Sequence, residues 1–385
     1  MGMNQRTMKL NKQIYIGLMS GTSLDGIDGV LVDFNHDEIR VLHHASINYP
    51  DPLRAAIRAL LTPADNEIER VEQASFERNR LALGLVDQLC IGIDRERVVA
   101  IADHGQTIRH YPNAHPAYTL QLHRAAEMAE FSGIDCVADF RSKNIAAGGQ
   151  GAPLVPAFHQ AYFADTRQYR IVVNIGGIAN ISLLAPDAES SAIGFDTGPG
   201  NTLLDNWCQQ QTGKPYDVDG MWAARGQINP ALLATLMEDA YFQQPPPKST
   251  GREHFNLSWL QQKLLAGHYE ALDHTDIQAS LTALTARSIA LGIEQACALA
   301  GILESALQGV YVCGGGARNQ FLMQQLATHI SAPLRSSEEL GIPSQLVEAT
   351  AFAWLGMQAI EGRSVDLKRA TGARHNSILG ALYRA

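Results

Sequence analysis

Three short stretches gather residue types that can hold a phosphate. Gly21-Thr22-Ser23-Leu24-Asp25-Gly26-Ile27-Asp28 sits between two apolar runs, and Asn174-Ile175-Gly176-Gly177 sits between two more. Gly314-Gly315-Gly316 follows a third apolar run and precedes an amphipathic segment. Missing side chains let a phosphate reach backbone N–H groups, and Thr22 and Ser23 add hydroxyl donors. Asp25 and Asp28 repel a bare phosphate but suit the water shell of a Mg²⁺ carried on it. Alone, each stretch also reads as an ordinary polar turn. None is a Walker A or a G-x-G-x-x-G sequence.

A second set of residues could act on a substrate. In "GFDTGPGN", Asp196 follows a buried run and precedes a flexible turn, where a carboxylate can take a proton from water or a hydroxyl. The competing role is to cap the following helix, which Asn201 or Thr202 could do instead. In "IADHGQT", Asp103, His104, Gln106 and Thr107 end an apolar run with groups that order water or sugar hydroxyls, or that simply satisfy a turn. Arg141 and Lys143 offer charge to an anionic group. Glu348 lies in "PSQLVEATAFAWLGMQAI", apolar nearly all round, so it needs either a salt-bridge partner or an opening onto a ligand. Asp217 and Asp219 lack the further ligands of a calcium loop and read as loop acids.

The elements that must position these residues follow from periodicity. Residues 14–34 read as strand, glycine turn, strand, and 39–49 as a third strand. Two helical patterns follow, then a short buried strand ending at "ADHG", a helix closed by Gly133 and the strand "DCVADF". From residue 169 the pattern begins again, with a glycine hairpin over 169–184, the strand carrying Asp196, a long helix with Asp276 as its N-cap, and strand-glycine-helix over 309–330. A repeat of architecture without repeat of sequence predicts a duplicated α/β domain with a cleft between the copies. The expected halves are 13–155, completed by 372–385, and 156–371.

Bulk composition narrows the partners. The 30 basic and 39 acidic residues leave a net charge of −9, which disfavours nucleic acid and anionic membranes. No apolar run approaches a membrane span. Cys90, Cys136, Cys208, Cys297 and Cys313 are odd in number and scattered, which points to a reducing, cytoplasmic setting.

"MSGTSLDGID", "DHGQT", "FRSKNIAAGGQGAPLVP", "NIGGIANIS", "GFDTGPGN", "PPPKSTGRE" and "VCGGGARN" occur in this order. Together they resemble the anhydro-N-acetylmuramic acid kinase family, within the acetate and sugar kinase/Hsp70/actin superfamily. The likeness covers all but the first dozen residues. It implies two duplicated ribonuclease H-like, actin-like ATPase domains around an ATP and substrate cleft. It implies an enzyme that uses ATP, Mg²⁺ and water to turn 1,6-anhydro-N-acetylmuramic acid into N-acetylmuramic acid 6-phosphate in cell-wall recycling. Phosphate loops then map to Gly21–Asp28 and to Asn174–Asn180, with Asn174, Gly176 and Gly177 on ATP. The adenosine loop maps to 314–318, and Asp196 becomes the catalytic base. His104, Gln106, Thr107, Arg141 and Glu348 become sugar contacts, and Asp25 a Mg²⁺ site through water. A homodimer is also implied. Another kinase or a phosphatase of the superfamily, a nucleotide-driven module and a plain glycosidase are the rival readings.

Overall fold

The computed structural model describes residues 14–35, 38–187 and 190–385; the basic segment 1–13 lies outside them. The first half opens on a meander of β1 (Ile14–Ser20), β2 (Gly26–Asn35) and β3 (Glu38–Asn48), all antiparallel. Helices α1 (Asp51–Ala59) and α2 (Glu67–Leu89) cross over to β4 (Val98–Tyr111), which lies parallel to β1. A short strand, β5 (Tyr118–Leu122), folds back on the far end of β4. Helix α3 (Ala125–Ser132), closed by Gly133 at φ +68, leads to β6 (Cys136–Ala138), parallel to β4. The sequence suggests that β4 is short. It runs fourteen residues because β5 pairs with its second half, so "DHGQT" lies inside a strand rather than at a tip.

After α4 (Ser142–Ala146) and α5 (Pro156–Phe163) the second half repeats the pattern. β7 (Tyr169–Ile175), β8 (Ile178–Leu184) and β9 (Ile193–Pro199) form another antiparallel meander. Four helices then intervene: α6 (Asn201–Thr212), α7 (Pro230–Met237), α8 (Ala240–Gln243) and α9 (Leu257–Ala266). They pack around Leu232, Phe242, Phe255 and Leu260 against α10 (His274–Ala300). β10 (Leu307–Cys313) lies parallel to β7, and, after α11 (Gln320–Ala327), β11 (Leu334–Ser336) lies parallel to β10.

The spatial orders are β3-β2-β1-β4-β6 and β9-β8-β7-β10-β11. Both halves therefore carry the same five-stranded sheet, in the duplicated ribonuclease H-like arrangement of actin-like ATPases. The final strand, β12 (Ala381–Tyr383), returns to pair with β6 of the first sheet.

Two helices fill the space between the sheets. α12 (Val347–Ile360) packs on β1, β2 and β4 and touches α5, which packs on β8. A Cβ on Gly17 of β1 would stand 2.0 Å from the Ala349 carbonyl oxygen, so this glycine is what lets α12 approach the sheet. The last residue of α13 (Lys368–Thr371) ties back to α4, the Asn144 amide donating to Thr371 Oγ1 at 2.9 Å. The long helix α10 starts earlier than expected. Asp273 is its cap, accepting from the Thr275 N–H, whereas Asp276 sits in the first turn and accepts from the Gln227 N–H at 2.7 Å. Neither Asn201 nor Thr202 caps α6, which begins after Gly200 with no side-chain cap; Asn201 instead donates to the Ile175 carbonyl.

Candidate active site

A cleft of about 720 Å³ opens between the halves, and all three glycine stretches reach it. The β1–β2 turn is built so that its main chain faces outward. Leu24, at φ +61, and Ile27 bury their side chains in the first core at 1% exposure each, so only their backbone can serve a ligand. The turn is anchored from behind: Gln106 donates to the Gly21 carbonyl at 3.1 Å, and the Tyr49 N–H donates to that of Asp25 at 2.8 Å. Gln106 does not itself line the cleft, so it holds the loop rather than a ligand.

The glycines divide into two kinds. A Cβ on Gly21, Gly176 or Gly315 would meet nothing closer than 3.5 Å, so these three border open space. The others are needed for packing. A Cβ on Gly177 would fall 2.2 Å from Thr22 Oγ1, where the two hairpins meet, and one on Gly26 would fall 2.1 Å from the Ile47 carbonyl oxygen. Gly314 and Gly316 are crowded by Asn174 and Ile175, and Gly316 does not reach the cleft wall.

Asp103 is not free to order a ligand. It is fully buried and grips Arg78 of α2 through two bonds of 2.6 and 2.7 Å. Burial works against the Arg78 charge, but Asp103 outweighs it and holds the guanidinium protonated. Arg78 also reaches Ser20, whose hydroxyl accepts from Tyr49, so this network braces the first glycine loop.

His104, Thr107 and Arg141 do line the cleft. His104 Nδ1 lies 2.8 Å from the Gly105 carbonyl oxygen and therefore carries the hydrogen, leaving Nε2 to accept from Arg141 Nε at 3.0 Å. Burial and the Arg141 charge hold this imidazole well below its ordinary range, which keeps the acceptor available. Arg141 also donates through Nη1 to the Gly151 carbonyl at 2.7 Å. Lys143 is exposed on α4 and stands outside the cleft.

Asp196 lies within β9. Strand pairing puts it in one row with Asn180 and Asn174, and paired residues face the same side of a sheet. All three border the cleft. Asp196 is 6% exposed, and its Oδ2 accepts one hydrogen bond, from the Thr250 N–H at 3.0 Å. Burial pushes its carboxyl up to about 7; Thr250 and Arg141 oppose this and Glu253 adds to it. Glu348, in the first turn of α12, meets the Asn174 side chain at the cleft wall, and burial raises its carboxyl too. Burial in turn lowers Arg141 to about 10, with Asp196 and Glu348 sustaining its charge.

Several groups of the cleft escape a reading of the sequence. Asp205 of α6 borders it, pushed up to about 7 by burial and by Asp25. Arg252 faces both carboxylates and is lowered to about 10 by burial. The signal for Asp205 is a carboxylate breaking the apolar run "TLLDNW". Thr250 leaves no signal, because it acts through its backbone. Among the described residues no three His, Cys, Asp or Glu side chains converge on one point. Asp25 and Asp205 both border the cleft and are carboxylates that could face the waters of a hydrated cation carried on a polyphosphate. Asp28 is occupied by Ser46, which donates to it at 2.6 Å.

Residues 13–385 match the family model described as anhydro-N-acetylmuramic acid kinase. The chain belongs to the anhydro-N-acetylmuramic acid kinase family. The enzyme of that name from Cupriavidus pinatubonensis is 47% identical over 381 residues, 98% of this chain and 100% of the relative. That of Bordetella pertussis is 48% identical over 97% of this chain and 96% of its own. That of Coxiella burnetii is 45% identical over 97% and 98%. As a member of the anhydro-N-acetylmuramic acid kinase family the chain is an enzyme, a sugar kinase among the transferases. No helix among the described residues is long and apolar enough to cross a membrane.

Proposed function

We propose that the cleft joins 1,6-anhydro-N-acetylmuramic acid, ATP and water to give N-acetylmuramic acid 6-phosphate and ADP, in peptidoglycan recycling. The observation that carries the reading is Asp196, a buried carboxyl tuned near neutrality in a cleft bordered by glycine loops. A base works best when its proton affinity matches the working pH. Asp196 takes a proton from the water whose oxygen bonds to C1. The C1–O6 bond breaks, and O6 bonds to the γ-phosphorus as the bond to the ADP oxygen breaks. An inverting glycosidase needs a second carboxylic acid to protonate the leaving oxygen; here phosphorus captures it.

The roles of the remaining residues follow. The backbone of Gly21–Asp28 and of Asn174–Gly177 meets the phosphates, and that of Gly314 and Gly315 the nucleoside. Asp25, with Asp205 beside it, orders the waters of Mg²⁺, which supplies charge neutralisation to the phosphates. Arg141, aimed by His104, holds the anionic group of the sugar, while Thr107 and Glu348 face its hydroxyls. Gln106 and Gly316 support the loops from behind. The division at 13–155 with 372–385 and 156–371 makes the cleft an interdomain one. A homodimer and a cytoplasmic setting complete the reading.

The test is a mass-resolved assay with ATP, Mg²⁺ and the anhydro sugar in heavy-oxygen water. The expected product is a sugar phosphate with solvent oxygen at C1. A phosphorylated product without solvent oxygen means an ordinary kinase, and ATP-independent opening means a glycosidase.

A further inference from the structure

The proline-rich loop 243–256 carries a lysine that the proposed chemistry does not use. Lys248 is 5% exposed, and its ammonium has no acid partner among the described ion pairs. Instead it donates to the Tyr241 and Phe242 carbonyls at 3.2 and 3.3 Å and lies 4.8 Å from the centre of the Tyr241 ring. A cation is buried at a cost, so the arrangement it holds matters.

That arrangement closes on Asp196. The Tyr241 hydroxyl donates to the Asp196 carbonyl at 2.6 Å. The Asp196 N–H donates to the Lys248 carbonyl at 3.1 Å. Two residues further on, the Thr250 N–H donates to Asp196 Oδ2 at 3.0 Å. Lys248 therefore ties α8 to the loop, and both to the backbone of the residue proposed as the base.

We propose that Lys248 is a positioning residue that pins this loop, keeps the Thr250 N–H on Oδ2, and so leaves Oδ1 as the oxygen that takes the proton. This rests on the reading of Asp196 as the base. The charged and titratable groups facing Asp196 are Arg141 from the segment after β6 (which also faces Glu348 of α12), Glu253 on the loop and Tyr241 on α8. A hydrogen bond to a carboxylate favours its charged form, so losing the Thr250 N–H shifts the Asp196 midpoint upward.

The experiment compares the pH dependence of kcat for the wild type, Lys248→Met and Thr250→Pro, with ATP affinity and Tm measured alongside. Lys248→Met is expected to move the acid limb upward by about one pH unit, lowering kcat about five-fold at pH 7 and about ten-fold well below it, while leaving ATP affinity unchanged. Thr250→Pro, which deletes the N–H, is expected to move the limb in the same direction, and Lys248→Arg, which keeps the charge, to move it less. A folded Lys248→Met with an unmoved limb overturns the proposal, whatever its Tm. Should that variant not fold, Tyr241→Phe removes the next link; its limb is expected to move upward, and an unmoved limb overturns the proposal equally. Full activity in Asp196→Asn is the separate result that sinks the base reading itself.

Discussion

Two aspartates of the two sheets look alike in sequence and do opposite things. Asp103 in "IADHG" and Asp196 in "GFDTG" each follow an apolar run and precede a glycine and polar residues. Asp103 on β4 is closed off by Arg78 with two short bonds. Asp196 on β9 has one backbone N–H on its carboxylate, with Arg141 acting from the cleft wall. The partner decides the role: a paired buried carboxylate braces a loop, while one left short of partners holds its proton to about neutral pH and can exchange it.

Substitution at the two sites is the strongest way to break this contrast. Asp196→Asn is expected to cut product formation about a thousand-fold while ATP binding persists. The same change is expected to stabilise the fold. The folded carboxyl holds its proton up to about 7, against an ordinary value of 3.8, so its ionised form opposes folding. The gain, about 2–4 kcal/mol, is full above pH 7 and vanishes as the pH falls toward 4. Thermal unfolding at both ends of that range checks it, and a destabilised Asp196→Asn at pH 8 erases the contrast.

Asp103→Asn is expected to do the reverse. It leaves Arg78 buried without its counter-charge and costs about 3–5 kcal/mol of stability, read by denaturant unfolding. A loss under 1 kcal/mol would mean that the pair does not brace the loop.

The glycine loops sharpen the comparison further. Gly176 borders open space and Gly177 does not. Gly176→Val is expected to leave Tm nearly unchanged and to weaken ATP binding about ten-fold, measured by titration calorimetry. Unchanged affinity would remove Gly176 from the nucleotide site.

Much of this was legible in the sequence, and the failures share a cause. The two glycine hairpins, the long apolar α12 and the duplicated order of strands all leave local patterns, because period and turn chemistry act over a few residues. Arg78 leaves none: within "SFERNRL" it reads as part of a solvated helix face, and only the packing of α2 across the first sheet brings it to Asp103. Likewise, nothing local places Thr250 on Asp196 across 54 residues. The length of β4 depended on β5, and the cap of α10 fell at Asp273 because an Asp in either place satisfies the same local rule.

The most direct test of the central claim is the titration of the Asp196 carboxyl in the ligand-free protein. Its ¹³C signal is followed with pH and assigned by its loss in Asp196→Asn. A midpoint near 7 is the expected result, and a carboxyl that titrates near 4 would contradict the account of Asp196 as a base tuned by burial.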